Sequence, residues 1–97
     1  MSEAPADIRD RLGAEYAGET YYEALRQVEH LDLPARVLRS VVFLARGDLD
    51  ALRRFARCAE QDWREVVFWA EYDDHDAPSP RRVRSMEEPF AAASPGG

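Results

Sequence analysis

The chain has no lysine, a single cysteine and no long apolar run. One thiol, Cys58, excludes an intrachain disulfide framework and any multi-cysteine metal or redox motif. The longest apolar runs, Val41–Ala45 and Val66–Ala70, are five residues each. A membrane-spanning helix needs roughly 20, so no membrane association through a span is expected. The start, Met1-Ser2-Glu3-Ala4-Pro5, is acidic and has no apolar stretch of the secretory kind, so a cytoplasmic location is expected. Also missing are a Gly-x-Ser-x-Gly elbow, a phosphate-cradling glycine loop, a His-Glu-x-x-His pair and a dinucleotide fingerprint. The expectation is therefore a non-enzymatic protein with no cofactor. The absence of lysine carries no functional weight, since arginine supplies all the side-chain cations.

What is present suits one small domain. The 97 residues are 45% hydrophobic, which argues against wholesale disorder, and the net charge is −6. That charge is unevenly spread. Residues 1–32 hold three arginines and eight acids, and residues 65–76 hold five acids and no arginine. Between them, residues 33–64 hold seven arginines and four acids. A basic centre between acidic flanks can complement itself on folding, and it can also offer a polar face to a partner.

Periodicity favours helices. Ile8, Leu12 and Tyr16 form a narrow stripe, with Gly13 and Gly18 weakening the run, so the leading helix is expected to be short or frayed. Thr20-Tyr21-Tyr22-Glu23 has the form of a capping box opening a helix over about Tyr21–Leu31, with Tyr21, Leu25 and Val28 inward. Pro34 suits the first position of a helix running to about Arg46. Gly47 stops it, and Asp48 caps a helix over about Leu49–Gln61, in which Asp50 precedes Arg54 by one turn. Asp62-Trp63-Arg64-Glu65 is a second box, opening a helix to about Tyr72. The fold class expected is all-α, a small bundle of three or four short helices over residues 6–75. A flexible start over 1–5 and a disordered tail over 76–97, with four prolines, complete the reading. The alternative is α+β, because Val41–Leu44 and Val66–Trp69 are β-favouring runs flanking a helix, a βαβ pattern over 41–72.

Function is read from three features. Trp63, Val66, Val67, Phe68, Trp69, Ala70 and Tyr72 place apolar groups nearly all round the last helix. A helix of that kind is either the centre of the fold or partly covered by another chain. The first reading is thus a protein–protein interaction or regulatory module, self-associating or binding a partner protein. Its surface would use Trp63, Phe68, Trp69 and Tyr72, with Arg53, Arg54 and Arg57 giving orientation. The second reading is a nucleic-acid-binding regulator using an arginine face that combines Arg36, Arg39 and Arg46 with Arg53, Arg54 and Arg57. The net negative charge and the lack of interleaved aromatics make nucleic acid the weaker partner. The third is a metal-binding protein or enzyme using Asp73, Asp74, His75 and Asp76, oxygen-rich ligands suited to a hard cation. His30, near a helix C-terminus, and Cys58, beside an apolar face, read as structural. Pro80-Arg81-Arg82-Val83-Arg84-Ser85 has the form of a basic docking or phosphorylation segment in a solvated linker.

Overall fold

The computed structural model describes residues 4–73 and 78–90. Four helices follow one another: α1 (Ala6–Glu15), α2 (Glu19–Glu29), α3 (Ala35–Ala45) and α4 (Leu49–Glu71). Two short strands, β1 (Tyr72–Asp73) and β2 (Arg81–Arg82), then pair antiparallel with Tyr72 opposite Arg82 and Asp73 opposite Arg81. The architecture is a small helical bundle. The βαβ alternative is excluded, because residues 41–44 lie within α3 and residues 66–69 within α4. The helix-start chemistry decides this. The Pro34 carbonyl accepts from the Val37 and Leu38 amides at 2.9 and 3.1 Å, and Val37, Leu38, Val41, Val42 and Ala45 are then buried at helical spacing.

α3 packs chiefly along α4 and also meets α1. α1 is short, as expected, and buries Ile8 and Leu12 completely. Tyr16 follows them into the core, with 4% of its surface exposed. In α2 the buried positions are Ala24 and Val28, with Leu31 just beyond the helix; Tyr21 and Leu25 are half-buried. Each large aliphatic side chain fully enclosed in this way contributes about 1.5–3 kcal/mol.

Two local expectations need correction. The Thr20–Glu23 capping box does not form. α2 opens from Gly18, held at φ 58° and ψ −131°, so Thr20 already lies in the first turn. The Glu23 carboxylate instead accepts from Arg53 at 3.2 Å and Gln27 at 3.4 Å. The Thr20 amide donates to the Ala17 carbonyl at 3.1 Å, so the box's backbone donor is already taken. Similarly, Asp50 pairs with Arg53 at 3.5 Å and not with Arg54. The helices expected over 49–61 and 62–72 are both present within α4, meeting at a kink at Asp62, whose φ of −154° and ψ of 89° are not helical. Asp62 acts as a cap within that bend, its Oδ1 accepting from the Arg64 amide at 3.2 Å. The α3–α4 junction is as the sequence implies. Arg46 and Gly47 take left-handed conformations, and Asp48 accepts from the Asp50 and Ala51 amides at 2.9 and 3.3 Å.

The packed body also reaches beyond residues 6–75. Ala4 is buried, its amide facing the Glu29 carboxylate at 3.4 Å. Within the stretch expected as a tail, residues 78–90 return along the bundle, and Met86 is only 6% exposed. No hydrophobic period announces this return, because charge and backbone hydrogen bonds hold it.

Candidate interaction surface

The second half of α4 turns Val66, Val67, Ala70 and Glu71 inward. Its aromatics are left around the remaining faces. Trp63 is 41% exposed, with the Arg64 guanidinium 5.6 Å from its ring centre. Phe68 and Tyr72, one turn apart, are half-buried and stack at 5.1 Å. Trp69 lies about 100° round the helix from Phe68. Its half-buried ring meets Phe55 edge-on at 6.3 Å. The expected aromatic surface therefore divides into a Phe68–Tyr72 pair and a separate cleft at Trp69. That cleft encloses about 280 Å³ and is lined by Phe43, Leu44, Phe55 and Trp69, with Arg46, Arg84 and Asp73. Its walls are apolar and aromatic, and two guanidiniums face one carboxylate among its charged residues.

The arginine face expected across residues 36–57 is broken. Arg36 donates to both carboxylate oxygens of Glu71, at 2.9 and 2.7 Å. Arg39, itself 7% exposed, donates to Asp7 at 2.8 and 3.2 Å. Arg53 is drawn to Glu23 and Asp50. Arg54 and Arg57 remain exposed and, among the described residues, unpaired. Arg53 and Arg57 share a polar cleft of about 170 Å³ with Gln27, His30 and Glu60. The basic centre thus spends much of its charge on the acidic flanks, the self-complementation the charge blocks imply. Desolvation favours this arrangement, since a bidentate guanidinium satisfies a carboxylate that the fold buries.

Of the candidate metal ligands, Asp73 is exposed and lies 4.0 Å from Arg84. Asp74, His75 and Asp76 lie outside the described residues. Among the described residues no three His, Cys, Asp or Glu side chains gather as a metal site. His30 ends α2 on the surface, and Cys58 is half-buried against the core. Nor is any helix of the described residues long and apolar enough to cross a membrane.

No family model, curated protein or solved structure matches this chain.

The residue that sequence reasoning missed is Glu71, which has no exposed surface. Besides Arg36, its carboxylate meets Arg82 at 3.2 Å and accepts from the Met86 amide at 2.9 Å. Burial pushes its pKa up, but Arg36, the Met86 amide and Arg82 together pull it below the ordinary carboxylate value. Asp7 is likewise lowered, first by its bond from Arg39, against the opposing effect of burial, with help from the Phe90 amide. The signal for Glu71 lay in its position. It stands four residues after Val67, on the same apolar stripe, where a charged residue requires a buried partner.

Proposed function

We propose that this chain is a non-enzymatic interaction module that self-associates through the cleft at Trp69. The observation that carries the reading is the cleft itself, where Phe43, Leu44, Phe55 and Trp69 leave an apolar recess beside Arg46 and Arg84. Aromatic and arginine side chains in a recess are the groups that dominate interface energetics. A second copy supplies the complementary chemistry, since Asp10, Glu19 and Asp32 are exposed and, among the described residues, outside any ion pair. Filling the recess with one apolar side chain, flanked by carboxylates reaching the two guanidiniums, contributes a few kcal/mol beyond the cost of association. An affinity between about 0.1 and 1 mM follows, corresponding to about −4 to −5.5 kcal/mol in all.

Light scattering across micromolar to millimolar concentrations tests this. The wild-type mass should climb from 11.1 kDa towards the dimer. Trp69→Ala should hold the monomer mass while keeping its helical circular dichroism. A wild-type chain that stays at the monomer mass throughout overturns the reading, as does an undiminished dimer in the Trp69→Ala variant.

A further inference from the structure

Residues 81–90 are bound to the bundle in the way a groove binds a peptide, starting as a short strand and turning at residues 86–88. The receiving groups come from three helices and act largely on the main chain. The Glu71 carbonyl accepts from the Val83 and Arg84 amides at 2.8 and 3.3 Å, and its carboxylate takes the Met86 amide. Arg39 donates to the Met86 and Glu87 carbonyls at 3.2 and 3.0 Å. Asp7 accepts from the Phe90 amide at 3.1 Å. These bonds hold any sequence able to adopt the path, as in strand-addition recognition, where main-chain bonds give affinity and side-chain sites give selectivity.

Selectivity here comes from three positions spaced by four. Arg82 reaches the Glu71 carboxylate, Met86 is buried, and Phe90 packs on the core with the Arg11 guanidinium 4.7 Å from its ring centre. Between them, Ser85 Oγ accepts from the Glu87 amide at 3.3 Å and shapes the turn that brings the Met86 and Glu87 carbonyls to Arg39. The groove is also charged in advance. Asp7 is held by Arg39 and Glu71 by Arg36, so both acids are oriented from the helices before the segment arrives.

We propose that the face built by Asp7, Arg36, Arg39 and Glu71 is a peptide-binding groove, occupied in cis by this chain's own segment. Its ligand in trans is a peptide of the pattern Arg-x-x-x-Met-x-x-x-Phe that turns at its Met position. The tethered copy competes at an effective concentration in the millimolar range, so a free peptide enters measurably only when that copy is weakened.

The probe is a fluorescently labelled peptide of residues 78–90, titrated by anisotropy into the full-length protein. Full-length Met86→Ala/Phe90→Ala, with its own segment impaired, should capture the peptide at least about tenfold more tightly than the wild type. Adding Arg39→Ala to that variant should abolish capture, and a peptide with alanine at the Met86 and Phe90 positions should not bind. Trp69→Ala should change capture by no more than a few-fold, which separates this groove from the self-association surface. If the double variant loses helicity, Phe90→Ala alone serves, because its ring is only half-buried. Equal binding to wild type and latch variant overturns the proposal, as does equal binding of the alanine-substituted peptide or no binding to a variant of native helicity.

Discussion

Replacing Glu71 by alanine probes the least expected feature of the fold. The substitution removes a carboxylate with no exposed surface and strands three groups that it satisfies: Arg36, Arg82 and the Met86 amide. Breaking one side of a buried ion pair costs about 3–5 kcal/mol. The lower end applies, because the Arg36 and Arg82 side chains are 34% and 44% exposed and can recover water. The Met86 amide is buried and regains less, adding about 1 kcal/mol or more of its own. The expected loss is therefore about 4 kcal/mol, out of the roughly 5–15 kcal/mol that stabilises a domain of this size. In melting temperature this is about 16–32 °C, at about 4–8 °C per kcal/mol. Urea titration followed by circular dichroism measures it, and an Arg36/Glu71 double-mutant cycle should return a coupling energy above about 1.5 kcal/mol. The pH dependence has a definite sign. A carboxylate with a lowered pKa contributes its full stability above its unfolded value, here 4.5 for Glu71 and 3.8 for Asp7. That contribution disappears as the pH falls through the depressed folded values, and Glu71→Ala should flatten part of the acid limb. A loss below about 1 kcal/mol with an unchanged acid limb would refute the assignment of Glu71 as the hub of the polar network.

Tyr16 should govern the alkaline limb. Its hydroxyl is buried without a partner among the described residues, and burial, with Glu15 and Asp48 nearby, raises its pKa from 10.0 to about 12. The stability tied to the neutral phenol is complete below pH 10 and is lost as the pH climbs towards about 12, by up to about 3 kcal/mol. Tyr16→Phe should remove much of that loss in an alkaline melting series and, because no hydrogen bond is broken, leave neutral-pH stability unchanged within about 1 kcal/mol. Asp48→Ala removes the acceptor for the Asp50 and Ala51 amides and should cost about 1 kcal/mol in urea, whereas Asp48→Asn should recover most of it.

The parts of the fold that were legible in the sequence are those written in local chemistry. Pro34, the Gly47-Asp48 pair and the Asp62 cap each act within a few residues of themselves, and each marks a helix start or stop that the structure contains. The Thr20–Glu23 box is equally local in form. It fails because α2 already opens at Gly18, and the Glu23 carboxylate is left to Arg53, 30 residues away. Non-local pairing of this sort decides the return of residues 78–90 as well, through Arg39 with Asp7 and Arg36 with Glu71, separated by 32 and 35 positions. A prolyl, arginine-rich stretch reads as linker, because its hydrophobic content is too low to predict packing. Only Met86 and Phe90 provide apolar anchors, and their value depends on acids and arginines distant in sequence. For the aromatic surface, composition located the helix and the side chains. The division between the Phe68–Tyr72 pair and the Trp69 cleft depends on how α3 lies against α4, which no periodicity encodes.

The two proposed surfaces are not independent, because Arg84 belongs to both. It sits in the segment that docks on Glu71, donating to the Ala70 carbonyl at 2.6 Å, and its guanidinium lies 4.7 Å from the Phe43 ring centre, in the lining of the Trp69 cleft. Releasing the segment withdraws one of the cleft's two guanidiniums and uncovers a face of Phe43. An occupant of the cleft that pairs with Arg84 consequently prefers the latched chain, by whatever free energy that pairing supplies. Linkage requires the converse to the same degree, so occupancy of the cleft strengthens the cis segment against a competing peptide. An exposed charge-assisted contact of this kind contributes about 1 kcal/mol, which makes the expected coupling a few-fold change in affinity, a gradual bias between the two surfaces.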